Sequence, residues 1–123
     1  MQLALAMAAG AFGCGARYLL SGVVQRVSGS SFPLGTLTVN VVGCLAAGFL
    51  FAAFEGRWAI GPEARIAIMI GFLGSFTTFS TFALESGLLL QERAWLTLGL
   101  NLLAQNALGL VAVLLGLALG RAL

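Results

Sequence analysis

The chain has 123 residues, of which 60% are hydrophobic and 8% are charged, with a formal net charge of +2 at pH 7. A water-soluble domain needs more polar side chains than this to cover its surface, so the composition indicates an integral membrane protein. Without histidine, lysine or aspartate, the chain has almost no material for a metal-ligand cluster or a catalytic acid and base, and we expect no enzyme. Its scattered arginines form no basic patch, so we expect no nucleic acid partner.

Four apolar segments are long enough to cross a bilayer, since a spanning helix needs about 20 mostly apolar residues. They cover residues 3–24, 34–54, 66–90 and 95–119. The first segment has the position of a signal peptide, but it lacks a basic N-terminal region and its apolar stretch is too long, which favours a spanning helix. We predict a single four-helix transmembrane domain over residues 1–123, which forms an oligomer because four helices bury little interior by themselves.

The loops between these segments carry turn residues and few charges. Pro33 and Pro62 stand where the second and third helices are expected to begin, and Trp95 suits a membrane interface. With the N-terminus in the cytoplasm, three arginines fall on that side and two on the other, so the positive-inside rule gives little preference. Two interpretations stay open: insertion both ways up, which would permit an antiparallel homodimer, and one orientation fixed by other signals.

Small residues recur at helical spacing on the second and fourth segments. They allow helix backbones to approach closely in lipid, and close helix contact is the role we expect for them. The residues of this pattern are Gly43, Ala47, Gly109, Ala112, Gly116 and Gly120. The two cysteines, Cys14 and Cys44, form no ligand pattern with one another and are expected to act as small packing residues.

A few polar residues lie at membrane depth, where they are costly unless they pair or line a wet cavity. Asn40 lies near the middle of one face of the second segment, and Asn101 and Gln105 are one turn apart on the fourth. Hydrogen bonding between helices and a role in a transport path are both open for these amides. Arg17, inside the first segment, is interpreted either as an anchor that reaches the interface or as a residue at a pore mouth.

The third segment contains "GFLGSFTTFSTFALE" at residues 71–85, which concentrates hydroxyls and phenyl rings in an apolar helix. On a helical wheel these residues form two adjacent stripes. One holds Thr78, Thr81 and Glu85, and the other holds Ser75, Phe79, Phe82 and Ser86. The hydroxyls could simply bond back to carbonyls one turn earlier, but so many of them beside Gly71 and Gly74 favour a break in the helix.

Such a stretch offers neutral hydrogen-bond donors beside ring edges. The edge of a phenyl ring is electropositive, so ring edges and hydroxyls together can replace part of an anion's hydration shell. A cation path would need carboxylates or rings of carbonyls, and Glu85 is the only carboxylate available here. The pattern therefore favours a path for a small anion, with a cation path as the alternative.

The whole chain resembles the Fluc-type fluoride channels, also called the CrcB family. The resemblance is carried by "GARYLL" at 15–20, "PLGTLTVNVVGCLAAG" at 33–48, the 71–85 stretch and "GLVAVLLGLALG" at 109–120. It implies an all-α membrane protein with four helices and a broken third helix, assembled as an antiparallel, dual-topology homodimer in the bacterial inner membrane. It also implies two fluoride pores and a central structural sodium ion.

The resemblance also implies roles for individual residues. Asn40 matches a pore asparagine that helps to coordinate fluoride, and Phe79 and Phe82 match the paired rings that face the pores. Gly74 and Thr77 match the positions whose backbone carbonyls hold sodium. The remaining matches are the polar track at Ser80, Thr81 and Glu85, and the vestibule arginine at Arg17.

The fourth helix departs from the family pattern. Many members carry tyrosine and serine one turn apart in the polar track, where this chain has Asn101 and Gln105. Both replacements still donate hydrogen bonds. Two other classes of protein fit the sequence less well. A small proton-coupled multidrug exporter would need a carboxylate deep in the first helix, and a purely structural membrane subunit would have no use for the hydroxyl cluster.

Overall fold

Four membrane-length helices make up the protein. The computed structural model describes residues 1–123. The helices long and apolar enough to span a bilayer are Gln2–Ser28, Leu34–Gly56, Pro62–Gln91 and Trp95–Arg121. The predicted all-helical fold with four spans is therefore confirmed, and the chain is a multi-pass membrane protein.

The third span consists of several shorter segments. In chain order the helices are α1 (Gln2–Ser28), α2 (Leu34–Gly56), α3 (Pro62–Ile66), α4 (Gly74–Phe76), α5 (Phe79–Gln91) and α6 (Trp95–Arg121), and a π-helical segment, Ala67–Leu73, joins α3 to α4. The wider π-helical turns were not predicted, and they lie where this span meets α1.

The predicted break in the third span is confirmed at Thr77 and Thr78. The backbone of Thr77 has φ −89° and ψ 159°, and that of Thr78 has φ −151° and ψ 111°, so both residues are extended. Regular i to i−4 hydrogen bonds cannot continue through such a pair. α4 therefore ends at Phe76, and α5 begins as a new helix at Phe79.

Residues with special backbone geometry bound the other helices. Gly29 follows α1 in the left-handed region, with φ 57°, where a residue without Cβ is favoured. Pro33 and Pro62 stand at the starts of α2 and α3, as predicted. Arg93 also has φ 57°, although it carries a side chain, and it forms the tight turn between α5 and α6.

α2 and α6 run parallel and touch along a line of small residues, which we call the glycine seam: Gly48, Gly116 and Gly120. A Cβ on Gly48 would overlap the Val113 carbonyl, and a Cβ on Gly116 would overlap the Leu45 carbonyl. The two backbones are thus in direct contact, as predicted for Gly116 and Gly120. Gly48 was not part of the predicted pattern, and the predicted Gly43 lies instead against Thr77 and Phe76 of the third span.

The two halves of the third span lie against different helices. Before the break, backbone contacts link the span to α1: a Cβ on Gly13 would overlap the Phe72 carbonyl, and one on Gly71 would lie close to Ala6. After the break, α5 lies beside α6 and α2. The span therefore changes neighbours at the extended residues.

Candidate functional site

A cavity of about 410 Å³ opens at the break in the third span. Residues from α2, the break, α5 and α6 line it. Among them are Asn40, Gly74, Thr77, Thr78, Phe79, Phe82 and Gln105. The structure thus brings together seven of the residues predicted or discussed for the site.

Asn40 binds the extended backbone at the break through its side-chain amide. Its Oδ1 accepts a hydrogen bond from the Thr78 N–H at 2.8 Å, and its Nδ2 donates to the Thr78 carbonyl at 3.1 Å. Nδ2 also donates to Oε1 of Gln105 on α6 at 3.0 Å. Asn40 therefore replaces the helical hydrogen bonds that Thr78 lacks, and it links α2, the break and α6.

The break also releases backbone carbonyls from their helical partners, among them those of Gly74 and Thr77. In a continuous helix, the N–H groups of Thr78 and Thr81 would bond to the carbonyls of Gly74 and Thr77. Here the Thr78 N–H donates to Asn40, and the Thr81 N–H donates to Oγ1 of Thr78 at 3.2 Å. The Gly74 and Thr77 carbonyls are thus free to accept other partners, and unwound carbonyls of this kind coordinate sodium in membrane proteins.

The hydroxyl groups near the break have different hydrogen-bond partners. Thr78 is the N-cap of α5, and its Oγ1 also donates to Oγ1 of Thr81 at 2.9 Å. Thr77 bonds back to the Leu73 carbonyl at 3.1 Å, which is the structural alternative considered for these hydroxyls. Ser80 and Thr81 are exposed.

The wheel, which assumed one continuous helix, was wrong about Ser75. It grouped Ser75 with Phe79, but the two residues lie on opposite sides of the break. The Ser75 hydroxyl lies beside Gly10 of α1, where an added Cβ would be 3.0 Å from Oγ. The extended backbone at Thr77 and Thr78 changes the direction of the chain. Ser75 and Phe79 therefore do not follow the 100° per residue rotation of a single helix.

Phe79 and Phe82 form an edge-to-face pair. Their ring centroids are 5.5 Å apart and their planes meet at 66°. Phe79 is 77% exposed, whereas Phe82 is 8% exposed. The pair therefore combines one ring that is fixed inside the helix bundle with another that extends from its surface.

Glu85 and Thr81 line a second cavity, of about 480 Å³, between α1, α2 and α5. Oε1 of Glu85 accepts a hydrogen bond from Oγ1 of Thr36 at 2.6 Å. Oε2 of Glu85 is buried and has no hydrogen-bond partner in the protein. The bond between Thr36 and Glu85 depends on the packing of α5 against α2, which the sequence pattern does not specify.

Asn101 and Gln105 have different surroundings on α6. Asn101 is completely buried, and its Nδ2 donates to Oγ of Ser86 on α5 at 3.1 Å. It belongs to neither cavity, whereas Gln105 lines the cavity at the break. The structure thus gives Asn101 the interhelical bond that was one of the two interpretations, and its role in a fluoride path stays a prediction.

Arg17 lies apart from both cavities. It is partly buried, and its guanidinium lies 3.7 Å from Sγ of Cys14, one turn earlier on the same helix. Both interpretations of Arg17, as an interfacial anchor and as a vestibule residue, stay predictions.

Comparison with known proteins places this architecture in a family. Residues 4–117 match the family model described as CrcB-like protein, Camphor Resistance (CrcB). A relative from Desulforapulum autotrophicum, named fluoride-specific ion channel FluC, is 52% identical over 113 residues, covering 92% of this chain and 90% of the relative. Relatives of the same name from Nitratidesulfovibrio vulgaris (strain Miyazaki F) and Nitrosococcus oceani are 50% and 46% identical, covering 92% and 98% of this chain and 91% and 96% of their own lengths. The chain belongs to the CrcB family.

Proposed function

We propose that the protein is a fluoride-specific ion channel that passively exports fluoride from the cytoplasm and so lowers its toxicity. The observation that carries this proposal is the near full-length similarity to relatives named as fluoride channels, which are up to 52% identical. A channel of this kind needs no catalytic residues. We place it in the bacterial inner membrane as one transmembrane domain over residues 1–123.

The lining of the break cavity supports an anion path. The cavity combines three side-chain amides, hydroxyls and the rings of Phe79 and Phe82, with no lysine or arginine among its residues. Fluoride is strongly hydrated, so a path must replace its water with donors at each step, and a fixed cation deep in the path would hold the ion too tightly. Neutral donors and ring edges satisfy both requirements. Ser80, Thr81 and Glu85 would continue the path along α5.

The exposure of the break supports an antiparallel, dual-topology homodimer. Phe79 is 77% exposed, and Gly74 and Ser80 are also exposed on a single subunit. A second copy that covers this surface would bring a ring from each subunit to each of two pores. The small arginine bias between the two sides is compatible with insertion in both orientations.

The freed carbonyls of Gly74 and Thr77 fit a structural sodium ion. A hard cation takes oxygen ligands, and these two carbonyls have lost their helical donors. Sodium bound there would supply a positive charge shared by the backbones of the two subunits. Exhaustive removal of sodium should therefore reduce fluoride flux and weaken the dimer, which light scattering in detergent can measure.

Membrane potential and the pH difference across the membrane would drive export. Hydrogen fluoride formed in acid surroundings crosses the bilayer and dissociates in the more alkaline cytoplasm, where the anion is trapped. A passive path lets the negative interior expel that anion. Such passive export needs no proton coupling. The chain accordingly needs no histidine for that purpose, and it contains none.

Voltage-driven efflux from liposomes tests the proposal. Purified protein is reconstituted, a potassium gradient with valinomycin sets the potential, and electrodes record fluoride and chloride. We expect rapid fluoride efflux and no chloride efflux. Absence of fluoride efflux, or chloride efflux at the same rate, would refute the proposal.

A further inference from the structure

We propose that Gln25 is a positioning residue for the entry of the ion. It fixes the loop of residues 29–33 as the rim of the Glu85 cavity, which is the cavity of about 480 Å³ between α1, α2 and α5. The inference rests on the proposed function, because it takes this cavity as the aqueous entrance to the path along α5. The position of the cavity, the hydrogen bonds of Gln25 and the composition of the loop lead to this assignment.

The Glu85 cavity leads from the membrane surface toward the break. Because successive spans cross in opposite directions, the ends of α1 and α5 and the start of α2 lie on the same side, where the exposed residues Ser31 and Glu92 line the cavity. Glu85 lies seven residues before Glu92, which is about 10 Å deeper at 1.5 Å per residue. Thr81 lines the same cavity, and its Oγ1 accepts a hydrogen bond from Thr78, which lines the break cavity. An ion that enters past Ser31 can therefore reach the hydroxyls at the break.

The side-chain amide of Gln25 is fully used by the backbone of this rim. Nε2 donates to the carbonyls of Ser30 at 2.7 Å and Phe32 at 3.1 Å. Oε1 accepts from the N–H of Gly35 at 3.0 Å, in the first turn of α2, where N–H groups have no helical partner. If the amide were rotated by half a turn, nitrogen would face an N–H and oxygen would face carbonyls, and all three bonds would be lost. Gln25 thus joins α1, the loop and the start of α2 in one arrangement.

The first half of the loop has few other attachments. Residues 29–31 are Gly-Ser-Ser, so no apolar side chain is buried there. The bond from the Phe32 N–H to Oγ of Ser30, at 3.0 Å, joins the loop only to itself. The Ser30 N–H lies 3.4 Å from Oγ of Ser28 at the end of α1, which is a long hydrogen bond. The position of this part of the rim therefore depends mainly on the Gln25 amide.

A loop without this anchor would no longer keep a fixed distance from α5. Ser31 and Pro33 line the cavity from the loop, and Leu88 and Glu92 line it from α5 and its end. A mobile loop would occupy part of the space between them for part of the time, so fewer encounters between an ion and the cavity would lead to entry. The path beyond the rim would be unchanged. Gln25 should therefore affect the fluoride concentration that transport requires and leave the maximum rate unchanged.

The concentration dependence of efflux in Gln25→Met tests this positioning role. Methionine keeps the length of the side chain but forms none of the three bonds. Voltage-driven efflux from liposomes is measured over a range of fluoride concentrations. We expect the half-saturating concentration to rise about fivefold or more, the usual effect of losing a hydrogen bond, while the maximum rate stays near that of the wild type. The matched control is Gln91→Met, at an exposed position outside both cavities, which should behave like the wild type.

The half-saturating concentration decides the outcome, because a general structural defect lowers only the number of working channels. A value that is unchanged or lower in Gln25→Met would overturn the proposal, whatever the maximum rate. The channel function would then stand, since the wild type still conducts. Absence of fluoride efflux from the wild type would instead refute the proposed function.

Charged groups attached at Ser31 test the position of the rim without a change at Gln25. Ser31→Cys is labelled in detergent with thiol reagents of similar size that add either a sulfonate or a trimethylammonium group. The wild type, treated in the same way, shows the contribution of Cys14 and Cys44. At low salt the positive label should give about threefold faster fluoride efflux than the negative label, and high salt should reduce the difference. Equal efflux with both labels at low salt would overturn the proposal, even if Gln25→Met failed to fold.

Discussion

Replacing Asn40 by alanine should destabilise the protein well beyond the loss of one polar side chain. The substitution removes the hydrogen bonds to the Thr78 N–H and carbonyl and to Gln105, at 2.8, 3.1 and 3.0 Å. It also leaves the N–H of Thr78, a residue only 8% exposed, without its partner. No i to i−4 bond can replace it, since the backbone there is extended, whereas the Thr78 carbonyl lies at the N-cap of α5 and can accept the first hydrogen bond of that helix.

The size of the effect follows from these three bonds. Hydrogen bonds between membrane helices contribute on average about 0.6 kcal/mol each, which gives a lower value of about 2 kcal/mol. A buried backbone group without a partner costs about 1–3 kcal/mol, so the unpaired N–H of Thr78 raises the total. We expect the free energy of unfolding of Asn40→Ala to fall by about 2–5 kcal/mol.

Reversible unfolding in mixed micelles, followed by tryptophan fluorescence, measures this change. Asn106→Ala is the matched control: Asn106 is exposed and bonds only to the Leu102 carbonyl of its own helix at 2.7 Å. Its unfolding free energy should change by no more than about 0.5 kcal/mol. Hydrogen exchange at the Thr78 amide should also accelerate in Asn40→Ala alone. Equal stability of the two variants and unchanged exchange would show that Asn40 does not hold the break.

Three further substitutions test other parts of the structure. Thr78→Val removes the N-cap of α5, and its unfolding free energy should fall by about 1 kcal/mol; an unchanged value would mean that the cap is dispensable. Gly116→Ala forces a Cβ against an α2 carbonyl and should cost about 1–3 kcal/mol, whereas Gly15→Ala, which meets open space, should unfold like the wild type. Phe82→Ile removes a buried ring edge and should lower fluoride efflux about tenfold while the protein stays folded, so wild-type efflux would exclude this ring from the proposed path.

The fold was predictable from the sequence because a backbone in lipid has to satisfy its hydrogen bonds within the protein, as a helix does. Four apolar segments have to be helices, and the concentration of hydroxyls beside Gly74 indicated that one of them breaks. The helix contact made by the small residues of α6 was also predictable, because close packing of helices in lipid requires small side chains. Gly116 and Gly120 lie in backbone contact with α2, as expected.

The partners within the site could not be predicted, because they depend on where separate helices meet. Sequence spacing places Asn40 on a face of α2, but only the tertiary arrangement brings that face to the backbone of Thr78. The same holds for Thr36 with Glu85 and for Asn101 with Ser86. The wheel failed at Ser75 because periodicity applies only within one continuous helix.

The glycine seam has a consequence for the precision of the path. Asn40 and Gln105 stand in the same register as Gly48 and Val113, two turns further along the same pair of parallel helices. Because backbone meets backbone there, with no flexible side chains between, the spacing of α2 and α6 cannot change without breaking the contact. Residues two turns away thus fix the distance across which Asn40 bonds to Gln105, and a single methyl group added at Gly48 should lengthen that hydrogen bond and disturb the lining of the break cavity.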